Sequence, residues 1–129
     1  MIALILRTKE VPLKTSTTGK PKIILVKDVQ KVLIPVSLDN IISIEINKES
    51  LSIRTTEGKI LTSKTLKEAE ELLLGNGEFI KIHRSYIIAI KFIKGIEDKT
   101  VKMKNDQIIP IGETYRGPFI NAIEEVYKF

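Results

Sequence analysis

Short apolar segments, separated by polar residues, recur along the chain from Lys22 to its end. In residues 41–46 apolar side chains take every second position, at Ile42, Ile44 and Ile46, and residues 51–55 alternate in the same way. A period of two is typical of strands that bury one face. The pattern predicts strands at residues 23–26, 30–36, 41–46, 51–55, 59–62, 79–90, 91–96, 100–103 and 108–111.

Two segments have the period of a helix instead. Thr65 followed by Glu68 fits a capping box, and the apolar face of this first helix is expected to contain Leu66, Ala69, Leu72 and Leu73. A second helix is expected to begin near Pro118, because proline suits a first turn. Its apolar face is predicted to consist of Phe119, Ile120, Ile123 and Val126 or Tyr127.

The order of these elements indicates the fold class. Strands follow one another directly and do not alternate with helices, and such strands pair mainly antiparallel. The sequence therefore predicts a mainly β fold of small antiparallel sheets with two short helices.

The first 21 residues differ in composition from the rest. Residues 1–6 form a short apolar run with strand character, and residues 11–21 are rich in Thr, Ser, Lys and Pro, as linkers and loops are. We expect an N-terminal strand and flexible linker at residues 1–21 and one domain at residues 22–129. The opening run has no basic residue before it, and no apolar run reaches the roughly 20 residues of a membrane span, so the expected location is the cytoplasm.

The chain lacks cysteine and has a single histidine, His83. This composition excludes disulfides, thiolate metal sites and a histidine-rich metal centre. The sequence contains no Walker-type phosphate loop and no plausible nucleophile–histidine pair. We accordingly expect no catalysis, no cofactor and no metal.

The formal net charge is +5, and residues 79–104 account for an excess of that size, since seven basic residues stand there against Glu97 and Asp98. A concentrated positive field attracts phosphate and speeds association with a polyanion. The same composition also suits a solvated β surface on which lysines protect strand edges. Charge alone leaves both interpretations open.

The segment Phe79–Ile88 (FIKIHRSYII) resembles the central signature of the LytTR family, in which a strand led by phenylalanine runs into a His-Arg-Ser-Tyr core. Three further stretches match in the same order: residues 34–41 (IPV followed by DNI), residues 65–68 (TLKE) and residues 109–112 (IPIG). The resemblance covers residues 22–129.

This resemblance implies a sandwich-like module of short strands that acts as a bacterial transcription regulator. It implies binding to promoter DNA, often at paired direct repeats and possibly by a homodimer, with loop side chains in successive major grooves. It implies no cofactor and no catalysis, and the shortness of the apolar runs indicates no membrane partner. The chain departs from the family pattern at Ala89, where asparagine is usual, and at Gly112–Glu113, where serine and a basic residue are usual. These departures favour an alternative, a protein-interaction module that has lost specific DNA recognition.

Three residues of the signature are candidate DNA contacts. Arg84 matches a family position that enters the groove, and its guanidinium fork suits guanine O6 and N7; otherwise it contacts phosphate or lies on a β surface. His83 either donates to phosphate or holds a structural hydrogen bond beneath the loop, and we favour the structural role. Ser85 either bonds a phosphate or fixes the turn.

Further candidates lie outside the core of the signature. Arg116, in the predicted closing loop, stands near the position of the missing basic residue, and Tyr115 beside it either packs or binds. Glu113 is expected to form a salt bridge with Arg116. Lys48, in a polar turn between two strands, is a candidate groove contact. Lys81 and Lys91 either face phosphate or are merely solvated.

Overall fold

The computed structural model describes residues 23–74 and 77–127. Within these residues, ten strands form three antiparallel sheets, and two helices accompany them. The elements are β1 (Ile23–Lys27), β2 (Leu33–Ser37), β3 (Ile41–Ile46), β4 (Leu51–Thr55), β5 (Gly58–Thr62), α1 (Leu66–Leu73), β6 (Phe79–His83), β7 (Tyr86–Ala89), β8 (Ile93–Ile96), β9 (Thr100–Met103), β10 (Ile108–Pro110) and α2 (Glu113–Val126). The predicted fold class is confirmed. The strand and linker predicted for residues 1–21 lie outside the described residues.

A five-stranded sheet in the order β5-β4-β3-β7-β6 stands at the centre of the fold. The inner strand β7 is rich in β-branched residues and is covered on both faces, as residues 86–90 predict: Ile87 packs into one hydrophobic cluster and Ile88 into the other. The first cluster joins the sheet to the β1–β2 hairpin and α1, and the second joins it to the β8–β9–β10 sheet and α2. The central sheet is therefore a middle layer that both outer layers anchor.

The alternation predicted for β3 is wrong in detail. Ile42 belongs to the second cluster and Ile44 to the first, while Ile46 is exposed. The pairing of β3 with β4 shifts between Ile41 and Ser43, as at a β-bulge. An extra residue at a bulge reverses the faces of the side chains beyond it, so simple alternation fails.

Two strand predictions are corrected by turns that lack the usual glycine. β2 begins at Leu33 and not at Gln30, because the Asp28 carboxylate accepts from the backbone N–H groups of Gln30 and Val32, both at 2.9 Å. Residues 79–90 form a hairpin and not a single strand, because β6 ends at His83 and β7 begins at Tyr86. A side chain that accepts from nearby backbone N–H groups replaces ordinary turn residues at such sites.

The second helix begins at Glu113, five residues before the predicted start near Pro118. Proline inside a helix leaves the carbonyl four residues earlier without its donor, here that of Thr114. Both Pro118 and Thr114 are exposed, so water can solvate that carbonyl. The buried face of α2 is formed by Phe119 and Ile123. The helix start thus contains the residues predicted to form a closing loop.

The first helix agrees with its prediction. Thr65 Oγ1 accepts from the backbone N–H of Glu68 at 3.1 Å, and Glu68 Oε1 accepts from the backbone N–H of Thr65 at 2.9 Å. Leu66, Ala69 and Leu73 are buried against the first cluster. Neither helix in the described ranges is long and apolar enough to cross a membrane.

Candidate nucleic-acid interface

The turn between β6 and β7 presents Arg84 to solvent. His83 Nδ1 accepts the backbone N–H of Ser85 at 3.1 Å. The His83 ring also meets the ring of Tyr86 edge to face, at 5.5 Å between centroids. Arg84 is exposed, and its guanidinium has no hydrogen bond or ion pair with any residue that the structure describes. His83 and Ser85 thus build a turn that leaves the Arg84 guanidinium free.

Backbone hydrogen bonds connect the β6–β7 hairpin to two other segments, and a further bond connects one of these to a third. The Ile46 N–H donates to the Ser85 carbonyl at 2.9 Å, and the Gly112 N–H donates to the Ile82 carbonyl at 2.8 Å. The Ile111 N–H donates to the Lys99 carbonyl at 2.9 Å. One end of the molecule is therefore built from residues 47–50, 84–85, 97–99 and 112–116, which we name the turn end.

Lys48 lies in the part of the turn end that joins β3 to β4. The Asn47 N–H donates to the Ser50 carbonyl at 2.8 Å, and Asn47 Nδ2 donates to Ser52 Oγ at 2.6 Å. Ser52 is buried, so this second bond fixes the turn to the sheet. Lys48 itself is exposed and pairs with none of the described acidic groups. The bond from Asn47 to Ser52 holds the base of this turn against the sheet, and Lys48 is the unpaired cation that the turn presents.

The first turns of α2 contribute Glu113, Tyr115 and Arg116. Gly112 is the N-cap, and no side chain caps this helix end. The space beside Gly112 is occupied by the Tyr115 ring, since a Cβ on Gly112 would lie 2.9 Å from Tyr115 Cδ2. Arg116 Nη2 contacts Asp98 Oδ1 at 2.8 Å, so the arginine pairs with the β8–β9 turn and not with Glu113 as predicted.

Lys81 has a partner inside the protein. Its Nζ lies 3.1 Å from Glu70 Oε2 on α1 and 5.8 Å from the centre of the Tyr115 ring. Burial favours the uncharged amine, but the hydrogen bond and charge of Glu70 outweigh it and raise the pKa of Lys81. This lysine therefore joins α1 to the central sheet. It lies near the unpaired cations of the turn end but is not one of them.

Lys91 lies at the opposite end of the central sheet from Arg84. It follows β7, pairs with Asp39 Oδ1 at 3.2 Å, and lies over the Phe92 ring. Lys94 and Lys102 approach Asp106 on the β8–β9–β10 sheet. The basic stretch at residues 79–104 is thus distributed over several surfaces, and Arg84 and Lys99 are its members on the turn end.

Two residues of the turn end were missed by reasoning from the sequence as contacts. Lys99 and Asp98 occupy the β8–β9 turn, where Glu97 N–H donates to the Thr100 carbonyl at 2.8 Å. Only the contact of this turn with residues 111–116 brings them to the candidate interface, and no local motif signals that contact. Across residues 23–74 and 77–127, no three His, Asp or Glu side chains are grouped as metal ligands.

Comparison with known proteins shows both a family and a similar fold. The family model of the LytTr DNA-binding domain matches residues 31–124, well over half of the chain. A solved structure, the LytTr DNA-binding domain of a Bacillus cereus protein named as a methyl-accepting/DNA response regulator, is similar in fold, with a TM-score of 0.68 and 24% identity over 80% of this chain and 97% of that one. No functionally curated protein matches the chain.

Proposed function

Because the chain belongs to the family of LytTR DNA-binding domains, we propose that it binds duplex DNA sequence-specifically as a bacterial transcription regulator, through the turn end. The observation that carries this proposal is the grouping of Lys48, Arg84 and Arg116 on segments that hydrogen-bond to one another. Loops on a rigid β scaffold are a common place for binding residues.

The dimensions of the turn end fit a DNA groove. The β3–β4 and β6–β7 turns close neighbouring hairpins of one sheet, so their centres lie about two strand spacings, roughly 10 Å, apart. The major groove is about 12 Å wide. In this arrangement the β6–β7 turn and the start of α2 are central and enter the groove, while Lys48 and Lys99 at the two sides contact the flanking phosphates.

The division of roles follows from chemistry. Phosphate contacts give affinity without sequence information, and contacts to base edges give specificity. Arg84 has a free guanidinium at the centre of the turn end, which favours base readout. His83 acts on the orientation of the turn through Ser85, and Lys81 acts on Tyr115, so we assign both to positioning and not to direct contact. Lys91, at the other end of the sheet, is assigned no contact.

A selection experiment tests the proposal. The protein is immobilised, genomic duplex fragments are passed over it, and the retained fragments are sequenced and footprinted. We expect enrichment of one sequence element, present as two direct repeats if two copies bind side by side. Retention of fragments without any shared element would contradict sequence-specific binding, and retention of no fragments would favour a protein-interaction role for this surface.

A further inference from the structure

The ion pair between Arg116 and Asp98 connects two separate parts of the turn end. The guanidinium belongs to the second turn of α2, and the carboxylate belongs to the β8–β9 turn; their closest atoms are 2.8 Å apart. The side chains are 46% and 74% exposed, so an incoming phosphate can reach both. The pair therefore stands on the surface that we propose binds DNA, and it is open to competition.

The backbone brings the two side chains together. The Ile111 N–H donates to the Lys99 carbonyl next to Asp98, and the Glu97 N–H donates to the Thr100 carbonyl to close the turn. On the other side, the Gly112 N–H is bound to the Ile82 carbonyl just before α2 begins. Because both parent segments are fixed in this way, the pair orients the guanidinium relative to the β6–β7 turn that contains Arg84.

Phosphate and the Asp98 carboxylate require the same donors of Arg116. A phosphate that binds Arg116 must displace the carboxylate and then lie beside its negative charge, which repels it. A base edge makes a different demand, since a guanidinium has five N–H donors in a fixed fork and can keep some on Asp98 while others reach a base. Asp98 therefore weakens the contacts of Arg116 with phosphate more than its contacts with a base edge.

We propose that Asp98 is a specificity-determining residue of this domain. It holds the Arg116 guanidinium in one orientation and competes with phosphate for it, which weakens binding to duplexes of unrelated sequence more than binding to the cognate duplex. This role rests on the proposed function of the turn end.

The test compares Asp98→Asn with Glu97→Gln, a matched control in the same turn. Glu97 is exposed and forms no ion pair with the described residues, so its substitution removes the same charge without releasing Arg116. Each protein is titrated against the duplex recovered by selection and against a scrambled duplex of equal length and composition. Thermal unfolding of each variant verifies that it is folded.

For Asp98→Asn we expect the scrambled duplex to bind roughly threefold to fivefold more tightly, the effect of one exposed charge pair. Its salt dependence should steepen by about one released counterion, while the selected duplex gains less or loses affinity. Glu97→Gln should change the two duplexes equally and by less. In an Arg116→Ala background, most of the effect of Asp98→Asn should disappear.

Equal effects of Asp98→Asn and Glu97→Gln would overturn the proposal, because charge alone would then explain them. An undiminished effect of Asp98→Asn in the Arg116→Ala background would overturn it as well. Failure of the proposed function has a different signature, in which the wild-type protein itself does not distinguish the selected duplex from the scrambled one.

Discussion

At the scale of single residues, Arg84 is the side chain on which sequence recognition most depends. It is exposed, free of partners among the described residues, and placed at the centre of the turn end. A bidentate contact to guanine contributes about 1–3 kcal/mol of discrimination. We predict that Arg84→Ala weakens binding to the selected duplex by that amount and to a scrambled duplex by less than about 1 kcal/mol.

The conservative variant Arg84→Lys separates charge from geometry. Lysine keeps the charge and loses the fork, so binding to the scrambled duplex should be retained while the selected duplex loses most of its advantage. Titration of both variants against both duplexes measures this. If both duplexes lost affinity equally in Arg84→Ala, Arg84 would be a phosphate contact and base readout would have to lie elsewhere.

Glu113 is the acidic residue at the first position of α2, where it is exposed. A carboxylate near phosphate is repelled, most strongly at low salt. We predict that Glu113→Gln tightens non-specific binding by up to about 1 kcal/mol, with a gain that shrinks as salt rises. The helix loses a favourable charge at its N-terminus, so stability should fall by about 0.3–1 kcal/mol. Weaker binding in this variant would instead indicate that Glu113 accepts a hydrogen bond from a base such as cytosine.

Lys81 is counted in the positive charge of residues 79–104, but its pairing with Glu70 indicates a role in stability. We predict that Lys81→Met lowers the free energy of unfolding by up to about 1 kcal/mol at neutral pH, because the pair with Glu70 is lost. Since the pKa of Lys81 is raised, its contribution is complete below the ordinary lysine pKa of about 10.4 and disappears as pH rises through the folded-state value. Urea unfolding of both proteins across this range measures the difference.

The control for Lys81 is Lys59→Met, which removes an exposed lysine on β5 that pairs with no described acidic group. A stability difference between wild type and Lys81→Met that persisted at high pH would show that packing of the stem, and not the charge, is responsible.

At the scale of elements, the sequence predicts those strands and helix ends that are determined by residues close together in the chain. The bounds of β3, β4 and β9 agree with the predicted strands, and the capping box of α1 forms as its Thr-Glu spacing indicates. The strand predicted at residues 79–90 ran through the turn at residues 84–85, although Ser85 was a candidate turn residue, because His83 accepts the N–H that Asn or Asp usually accepts. The start of α2 was predicted too late because proline is rare in the interior of a helix, and Pro118 is the sixth residue of this one.

The start of α2 depends on the absence of a side chain at Gly112. Its φ of −67° suits any residue, but a Cβ would press on the Tyr115 ring at 2.9 Å. We predict that Gly112→Ala displaces this ring and weakens DNA binding several-fold, with little net change in stability because alanine also lowers the entropy of the unfolded chain.

Gly117→Ala is the matched control, since a Cβ there meets nothing within 4 Å and the residue lies on the same helix. It should leave DNA affinity unchanged and stabilise the protein by about 0.5–1 kcal/mol. Equal DNA affinities for the two alanine variants would place the start of α2 away from the DNA.

At the scale of the whole molecule, two hydrophobic clusters on opposite faces of one sheet hold three layers together. This arrangement converts residues that are distant in sequence into neighbours: Lys48, Arg84, Asp98 and Arg116 meet at one end only because the layers stack. The sequence shows the candidate cations individually, and the resemblance supplied most of them. It could not show which have internal partners, because Glu70, Asp39 and Asp98 reach their cations through tertiary packing.

Net charge is likewise a poor guide to where DNA binds. The excess of +5 is concentrated in residues 79–104 along the chain, yet Lys81, Lys91, Lys94 and Lys102 point to carboxylates on different surfaces. The turn end has no formal net charge either, because its basic residues, Lys48, Arg84, Lys99 and Arg116, are matched in number by Glu49, Glu97, Asp98 and Glu113. Affinity should therefore depend on a small number of phosphate contacts.

The measurement that tests the central claim most directly is duplex DNA affinity as a function of salt, with fluorescence anisotropy of a labelled duplex. With Lys48 and Lys99 on phosphate, the account predicts that log Kobs falls linearly with log salt with a slope of about −2, following roughly 0.9 per phosphate neutralised. The selected duplex should remain tighter than the scrambled one throughout. A folded protein that binds no duplex at low salt, or binds with an affinity that salt does not change, would contradict DNA binding by the turn end.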